Sequence, residues 1–146
     1  MQKVSRRSFA LVAGTATLGS VLALPVFAQA GPTRNKALFQ VTDNDPARWN
    51  LVLSNISNLR EGVGSEGVDI ELVAYGPGLL MLKSDSSVKQ RIADALKSGV
   101  KVNGCENTMK VMKFTQSDML PDIGYVPSGV VEVMKKQQQG WAYIRS

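Results

Sequence analysis

The chain has 146 residues, one Cys, no His and a formal net charge of +5. Its length predicts one domain with a real core, and its ordinary apolar and charged fractions exclude disordered and fibrous proteins. Of the 17 basic residues, Lys3, Arg6 and Arg7 lie in an N-terminal segment without acidic residues. The rest of the chain has 14 basic and 12 acidic residues. Such a small excess of positive charge excludes the basic surface typical of proteins that bind nucleic acid.

The first 30 residues have the three parts of an export signal. A positive segment ends at Arg7, residues 9–27 are uncharged, and Ala28-Gln29-Ala30 has the form of a signal-peptidase site. Residues 5–9 (Ser-Arg-Arg-Ser-Phe) resemble the twin-arginine motif. We therefore predict a twin-arginine signal peptide over residues 1–30, cleaved after Ala30, and a periplasmic protein. An uncleaved anchor is the alternative, because the uncharged stretch is nearly long enough to span a bilayer.

Residues 31–146 are predicted to form one domain in which strands and helices alternate. Its first half contains a predicted strand over 37–41, a helix that starts at Pro46 and stops by Gly64, and a strand over 68–75. A short apolar turn over 79–82 follows. The next helix is expected to be capped by Ser86 or Ser87 and to end at Gly99.

The second half continues the same alternation. A strand over 100–103 leads into Gly104-Cys105, and a short helix runs from Glu106 to about Lys113. A strand over 123–126, a helix from 127–129 to Gly140 and a strand over 141–144 complete the domain. This order predicts an α/β three-layer sandwich with a mostly parallel five-stranded sheet. Residues 76–78, 105–107 and 127–129 are expected at the carboxyl edge, where such sheets place their functional crevice.

Cys105 is the main candidate for chemistry. It lies between a strand and a helix start, where unpaired N–H groups favour a thiolate, although the neighbouring Glu106 opposes ionisation. With no His and no second Cys, the chain excludes a Cys-His hydrolase, a thioredoxin-type dithiol and an internal disulfide. The usual ligands of zinc, haem c and copper are also lacking, so we expect no metal and no cofactor. A buried, unreactive Cys is the alternative.

Six residues beside the expected crevice are candidates for substrate binding. Two glycines around a proline let the backbone approach an anion or a thiol, although the segment lacks the dinucleotide and Walker A patterns. Three polar residues lie at two helix starts and can orient a ligand. A tight turn and helix capping are the respective alternatives. These candidates are Gly76, Pro77, Gly78, Asn107, Thr108 and Ser128.

Four segments in order resemble the DsrE-like (DsrE/DsrF) family of small α/β proteins. They are residues 73–78 (Val-Ala-Tyr-Gly-Pro-Gly), 104–109 (Gly-Cys-Glu-Asn-Thr-Met), 126–130 (Val-Pro-Ser-Gly-Val) and 139–143 (Gln-Gly-Trp-Ala-Tyr). The resemblance runs from Ala37 to Arg145. It implies a homo-oligomer, a trimer or a hexamer. In the family's sulfur-relay subunits, a Cys at the position of Cys105 carries sulfur as a persulfide.

The resemblance therefore implies an exported sulfur carrier or sulfurtransferase-like protein with Cys105 as persulfide acceptor and residues 76–78 as a pocket wall. Its partners would be a sulfur donor or acceptor protein, with no nucleic acid and no membrane once the signal is cleaved. The alternative function is a non-catalytic oligomeric binding or assembly module with a structural Cys105. A flavin-binding redox protein is a third interpretation, which rests only on flavodoxin-like alternation.

Overall fold

Strands and helices alternate along residues 34–146, the part of the chain that this computed structural model describes. The predicted signal peptide, residues 1–30, lies outside it. The strands are β1 (Asn35–Val41), β2 (Val68–Ala74), β3 (Lys101–Cys105), β4 (Gly124–Val126) and β5 (Ala142–Ile144). The α-helices are α1 (Pro46–Val63), α2 (Lys89–Lys97), α3 (Glu106–Met112) and α4 (Gly129–Gln138). None of these helices is long and apolar enough to cross a membrane.

The sheet has the order β4-β3-β2-β1-β5, and every neighbouring pair is parallel. The register pairs Val41 with Ala74, Ala74 with Gly104, and Cys105 with Val126. The carboxyl ends of these strands therefore meet at one edge. The predicted fold class, an α/β domain with a parallel five-stranded sheet, is confirmed.

The two faces of the sheet carry separate apolar clusters, because side chains alternate along each strand. The larger cluster packs strand residues such as Phe39 and Leu72 against Trp49 of α1, Ile92 of α2 and Met109 of α3. The smaller one joins Leu38, Val73 and Val126 to Val133 of α4, with Tyr75 and Trp141 at its margin. Among the described helices, α4 thus covers the second face, with Val133 as its one buried side chain.

The local signals explain most element boundaries. Asp45 accepts the Ala47 N–H at 2.9 Å, and Pro46 occupies the first turn of α1, as expected. Gly99 follows α2 with a φ of 89°, which supports its predicted role at the helix end. The predicted cap of α2 by Ser86 or Ser87 is wrong. The N-cap is Val88, because turns from Lys83 onward carry Ser86 into the interior before the helix begins.

Candidate functional site

Cys105 ends β3 and is at the same time the N-cap of α3. Its backbone is extended, with φ −82° and ψ 116°, so the chain turns into the helix directly after the thiol. The residue is only 4% exposed and its sulfur forms no disulfide. The sequence places a thiol where a capping Ser, Thr, Asp or Asn usually stands. The sulfur is therefore the side-chain acceptor at this helix start.

Two backbone N–H groups point at the sulfur from different segments. Thr108 N lies 3.4 Å from Cys105 Sγ, and Gly129 N lies 3.3 Å from it. Burial raises the pKa of the Cys105 thiol, but hydrogen bonds from Thr108, Gly129 and Asn107 together lower it below its ordinary value of 9.0. The site therefore favours a thiolate, which is the nucleophilic form of cysteine.

The loop after β2 reaches the site through a hydroxyl group. Gly76 has a φ of 54°, and its N–H donates to Thr108 Oγ1 at 3.0 Å. The Thr108 side chain also helps to lower the pKa of the Cys105 thiol. Pro77 is exposed beside Gly76. Thr108 thus links residues 76–78, the glycine loop, to Cys105.

Gly78 has a different position from Gly76. Its N–H donates to Thr42 O at 2.9 Å, and a Cβ on Gly78 would collide with the Val41 carbonyl oxygen. Because Gly78 has no side chain, its backbone can lie directly against the end of β1. Gly78 therefore holds the loop on the sheet and makes no hydrogen bond to the Cys105 sulfur.

The third predicted segment, residues 127–129, also meets the cysteine. Pro127 O accepts the Asn107 N–H at 3.2 Å, and Gly129 supplies its N–H to the sulfur. Ser128 is the N-cap of α4, but its side chain makes no capping hydrogen bond. The exposed Asn107 likewise contributes its backbone here. The structure thus brings residues 76–78, 105–108 and 127–129 together at one edge.

Tyr75 belongs to this site and is absent from the residues singled out by sequence. A Cβ on Gly129 would lie 2.6 Å from Tyr75 Cδ1, so the first residue of α4 rests directly on the ring. Burial raises the pKa of Tyr75, and the charges of Tyr143 and Cys105 raise it further. The available signal was its place in residues 73–78, immediately before Gly76. Its ring leaves no room for a side chain on the residue that donates to the sulfur.

The chemistry open to this arrangement is that of a single activated thiol. Within residues 34–146, no three side chains of His, Cys, Asp or Glu lie together in a way that would hold a metal ion. The whole chain offers neither a His to act as a base nor a second Cys to resolve a disulfide. Attack of the thiolate on an external sulfur atom needs neither group.

Comparison with known proteins gives a family match over almost the whole described part. The model of the DsrE/DsrF-like family matches residues 35–145. A solved protein of unknown function from Methanobacterium thermoautotrophicum is 33% identical, with a TM-score of 0.73, over 77% of this chain and 99% of that one. No curated protein gives a significant match.

Two further solved structures show the fold alone. A conserved protein of unknown function from Bacteroides thetaiotaomicron is 14% identical, with a TM-score of 0.65 over 80% of this chain and 99% of its own. The ychN protein from E. coli is 13% identical, with a TM-score of 0.63 over 77% of this chain and 99% of its own. Both share the α/β architecture described above.

Proposed function

This chain belongs to the DsrE/DsrF-like family, and on that premise we propose that it is a sulfur carrier in which Cys105 accepts sulfane sulfur as a persulfide. Family membership supports a sulfur-relay kind of protein. The observation that carries the finer proposal is the pair of backbone N–H groups, of Thr108 and Gly129, within 3.4 Å of the sulfur. Such donors stabilise an anionic sulfur, and the thiolate is the form of Cys105 that can attack the sulfane sulfur of a donor molecule.

The transfer balances without an oxidant. The Cys105 thiolate attacks the terminal sulfur of a donor persulfide, R–S–SH, and forms a bond between Sγ and that sulfur. The donor's S–S bond breaks, its electron pair leaves on R–S⁻, and the proton stays with the transferred sulfur. Attack by an acceptor thiolate on the Cys105 persulfide then returns Cys105 to its thiolate form.

The test is the intact mass of the folded protein after incubation with inorganic polysulfide, before and after reductant. We expect a gain of whole sulfur atoms that reductant removes. Because the chain has one Cys, Cys105→Ser is a matched control with no other thiol and should gain none. Absence of a gain in the folded wild type, or an equal gain in Cys105→Ser, would overturn the proposal.

A second candidate function, a non-catalytic oligomeric module, is favoured by one observation. Helix α4 exposes Val130 (59%), Met134 (50%) and Val131 (39%) on the face turned from the sheet. Exposed apolar residues on one helix are typical of a surface that contacts another protein. Labelling by a thiol reagent separates the two functions. Rapid labelling of the native protein supports the carrier, whereas labelling only after unfolding supports the module.

Either function is compatible with a homo-oligomer, and we propose that the α4 surface takes part in its assembly. Met134→Glu places a charge among the exposed apolar residues and should shift the protein towards the monomer in analytical ultracentrifugation. Asn58→Glu, an exposed position on α1 on the other face of the sheet, is the control and should leave the assembly unchanged. A monomeric wild type would contradict the proposal.

We also propose that the protein is exported by the twin-arginine pathway and acts in the periplasm. The support is the sequence of residues 5–9, followed by an uncharged stretch and a signal-peptidase site. Replacement of Arg6 and Arg7 together by Lys should retain the unprocessed chain in the cytoplasm. Processing and release of that variant at the wild-type level would exclude the twin-arginine route.

A further inference from the structure

The middle of β2 carries a buried carboxylate that the proposed function does not use. Glu71 is 1% exposed, and its Oε2 lies 2.6 Å from Lys136 Nζ on α4. Asn103 Nδ2 donates to its other oxygen, Oε1, at 2.9 Å. Burial lowers the pKa of Lys136, but the hydrogen bond and charge of Glu71, together with those of Glu132, raise it overall. The Glu71–Lys136 ion pair is thus enclosed by polar partners, Asn103 on one side and Glu132 on the other.

This ion pair attaches α4 to the strands that lead into the thiol site, which consists of Cys105 and the N–H donors Thr108 and Gly129. Glu71 lies in β2, which ends beside Tyr75, and Asn103 lies on β3 two residues before Cys105. Residues two apart on a strand share a face, so Asn103 and Cys105 both face α4. Lys136 follows Gly129 by about two helical turns, or roughly 10 Å along α4. The helix is therefore held at Gly129 by the site and near its other end by Glu71.

Within residues 34–146, helix α4 buries only a small apolar area on the sheet. Gly129 and Val133 are its buried residues, and Val130 and Met134 are exposed. Lys136 also covers the Trp141 ring, with Nζ 4.5 Å from its centroid, which strengthens the same end of the helix. The Glu71–Lys136 pair thus adds a buried polar contact to the small apolar area by which α4 packs on the sheet. Removal of Lys136 leaves the buried Glu71 carboxylate without a cation, which is strongly unfavourable, whereas removal of the Glu71 charge leaves Lys136 with Glu132 at 3.5 Å.

We infer that Glu71 and Lys136 are positioning residues of the thiol site: they fix α4 on the sheet so that the Gly129 N–H stays in contact with the Cys105 sulfur. The inference rests on the proposed function, because it concerns the same cysteine. Neither side chain contacts the sulfur, and Lys136 is not among the groups that shift the pKa of Cys105. Their effect passes through the helix.

The test is the rate of alkylation of the native protein by iodoacetamide as a function of pH, in wild type, Glu71→Gln and Lys136→Met. Loss of the Glu71–Lys136 ion pair should weaken the contact between the Gly129 N–H and the sulfur. The midpoint of the plot of alkylation rate against pH should then rise by about 0.5–1 pH unit. Below the midpoint the alkylation rate should fall by about 3- to 10-fold. The titratable neighbours of the thiol, Tyr75 and Glu106, are unchanged in these variants.

Asp69→Asn is the matched control, since Asp69 lies on the same strand and forms an exposed ion pair with Arg34 at 2.8 Å. Its profile should equal that of the wild type. If a single variant does not fold, the double variant Glu71→Gln/Lys136→Met leaves no unpaired buried charge and should still show the raised midpoint. If the folded variants of Glu71 and Lys136 show the same dependence of alkylation rate on pH as the wild type, the inference is overturned. Alkylation needs no sulfur transfer, so failure of polysulfide loading would count only against the proposed function.

Discussion

The Gly129 N–H and the Cys105 sulfur lie 3.3 Å apart, although 24 positions separate them in the chain. The contact joins the start of α4 to the end of β3, across the edge of the sheet. A thiol in the unfolded chain has no such donor. The chemical character of Cys105 is therefore a property of the folded sheet edge as much as of the cysteine itself.

The closest test of this contact is Gly129→Ala. The new Cβ would lie 2.6 Å from Tyr75 Cδ1 and 2.8 Å from Tyr75 Cβ, so the helix start must move away from the ring. We expect the pKa of Cys105 to rise and alkylation near neutral pH to slow by about 3- to 10-fold, as one hydrogen bond to the thiolate weakens. Gly62→Ala, in α1 with open space around it, is the control and should leave the rate unchanged.

A comparison of Thr108→Val with Thr108→Ser tests the hydroxyl at the site. Valine keeps the branched shape but leaves the Gly76 N–H without its acceptor and removes the side-chain hydroxyl that lowers the pKa of Cys105. We expect a loss of about 1–2 kcal/mol in the free energy of unfolding and a higher pKa of Cys105. Serine retains the hydroxyl, and with it the acceptor for the Gly76 N–H, and should stay near the wild type. Equal behaviour of the two variants in denaturation and alkylation would contradict this role.

The lowered pKa of Cys105 makes the free energy of unfolding depend on pH. Between the native pKa and the ordinary value of 9.0, the folded thiol is ionised while the unfolded thiol is still protonated. Unfolding then takes up a proton, so the contribution of Cys105 to stability rises with pH across this window and is lost as pH falls through the native pKa. Urea denaturation under reducing conditions at a series of pH values should show this slope in the wild type. Cys105→Ser should lack it, and identical slopes would exclude a lowered thiol pKa.

Gly78→Ala should damage stability more than site chemistry. Its Cβ would meet the backbone oxygen and carbon of Val41, which cannot move without disturbing the end of β1. A loss of about 1–3 kcal/mol in the free energy of unfolding is expected, measured by urea denaturation. Gly67→Ala has open space and serves as the control. A fully stable Gly78→Ala variant would show that the loop can leave β1 at little cost.

The architecture was largely predictable because its signals are local. Pro46 after Asp45 starts α1, and glycines near the ends of α1, α2 and α4 stop them, so strands and helices could be counted from the sequence. Parallel pairing then follows from the alternation itself. The same reasoning placed residues 76–78, 105–107 and 127–129 at one edge, where the structure has them. The cap of α2 was missed because Ser86 faces inward before the helix begins.

The contacts within the site depend on packing that local patterns do not encode. Tyr75 matters because α4 crosses its ring at Gly129, and only the placement of the helix reveals this. Glu71 interrupts an otherwise mainly apolar strand, and the sequence does not indicate that its partner is Lys136, far along the chain. The division of the glycine loop, with Gly76 toward Thr108 and Gly78 toward β1, likewise requires the positions of three separate segments.

Because sulfur occupies the N-cap of α3, the group that caps this helix changes from neutral to anionic within an accessible pH range. The amide protons of Thr108 and Gly129 both lie against that sulfur and therefore experience its charge directly. Their nuclear magnetic resonance frequencies should follow the ionisation of Cys105 and change again when a second sulfur atom is attached. The fold thus contains two intrinsic spectroscopic reporters of the chemical state of its only cysteine, without any added label.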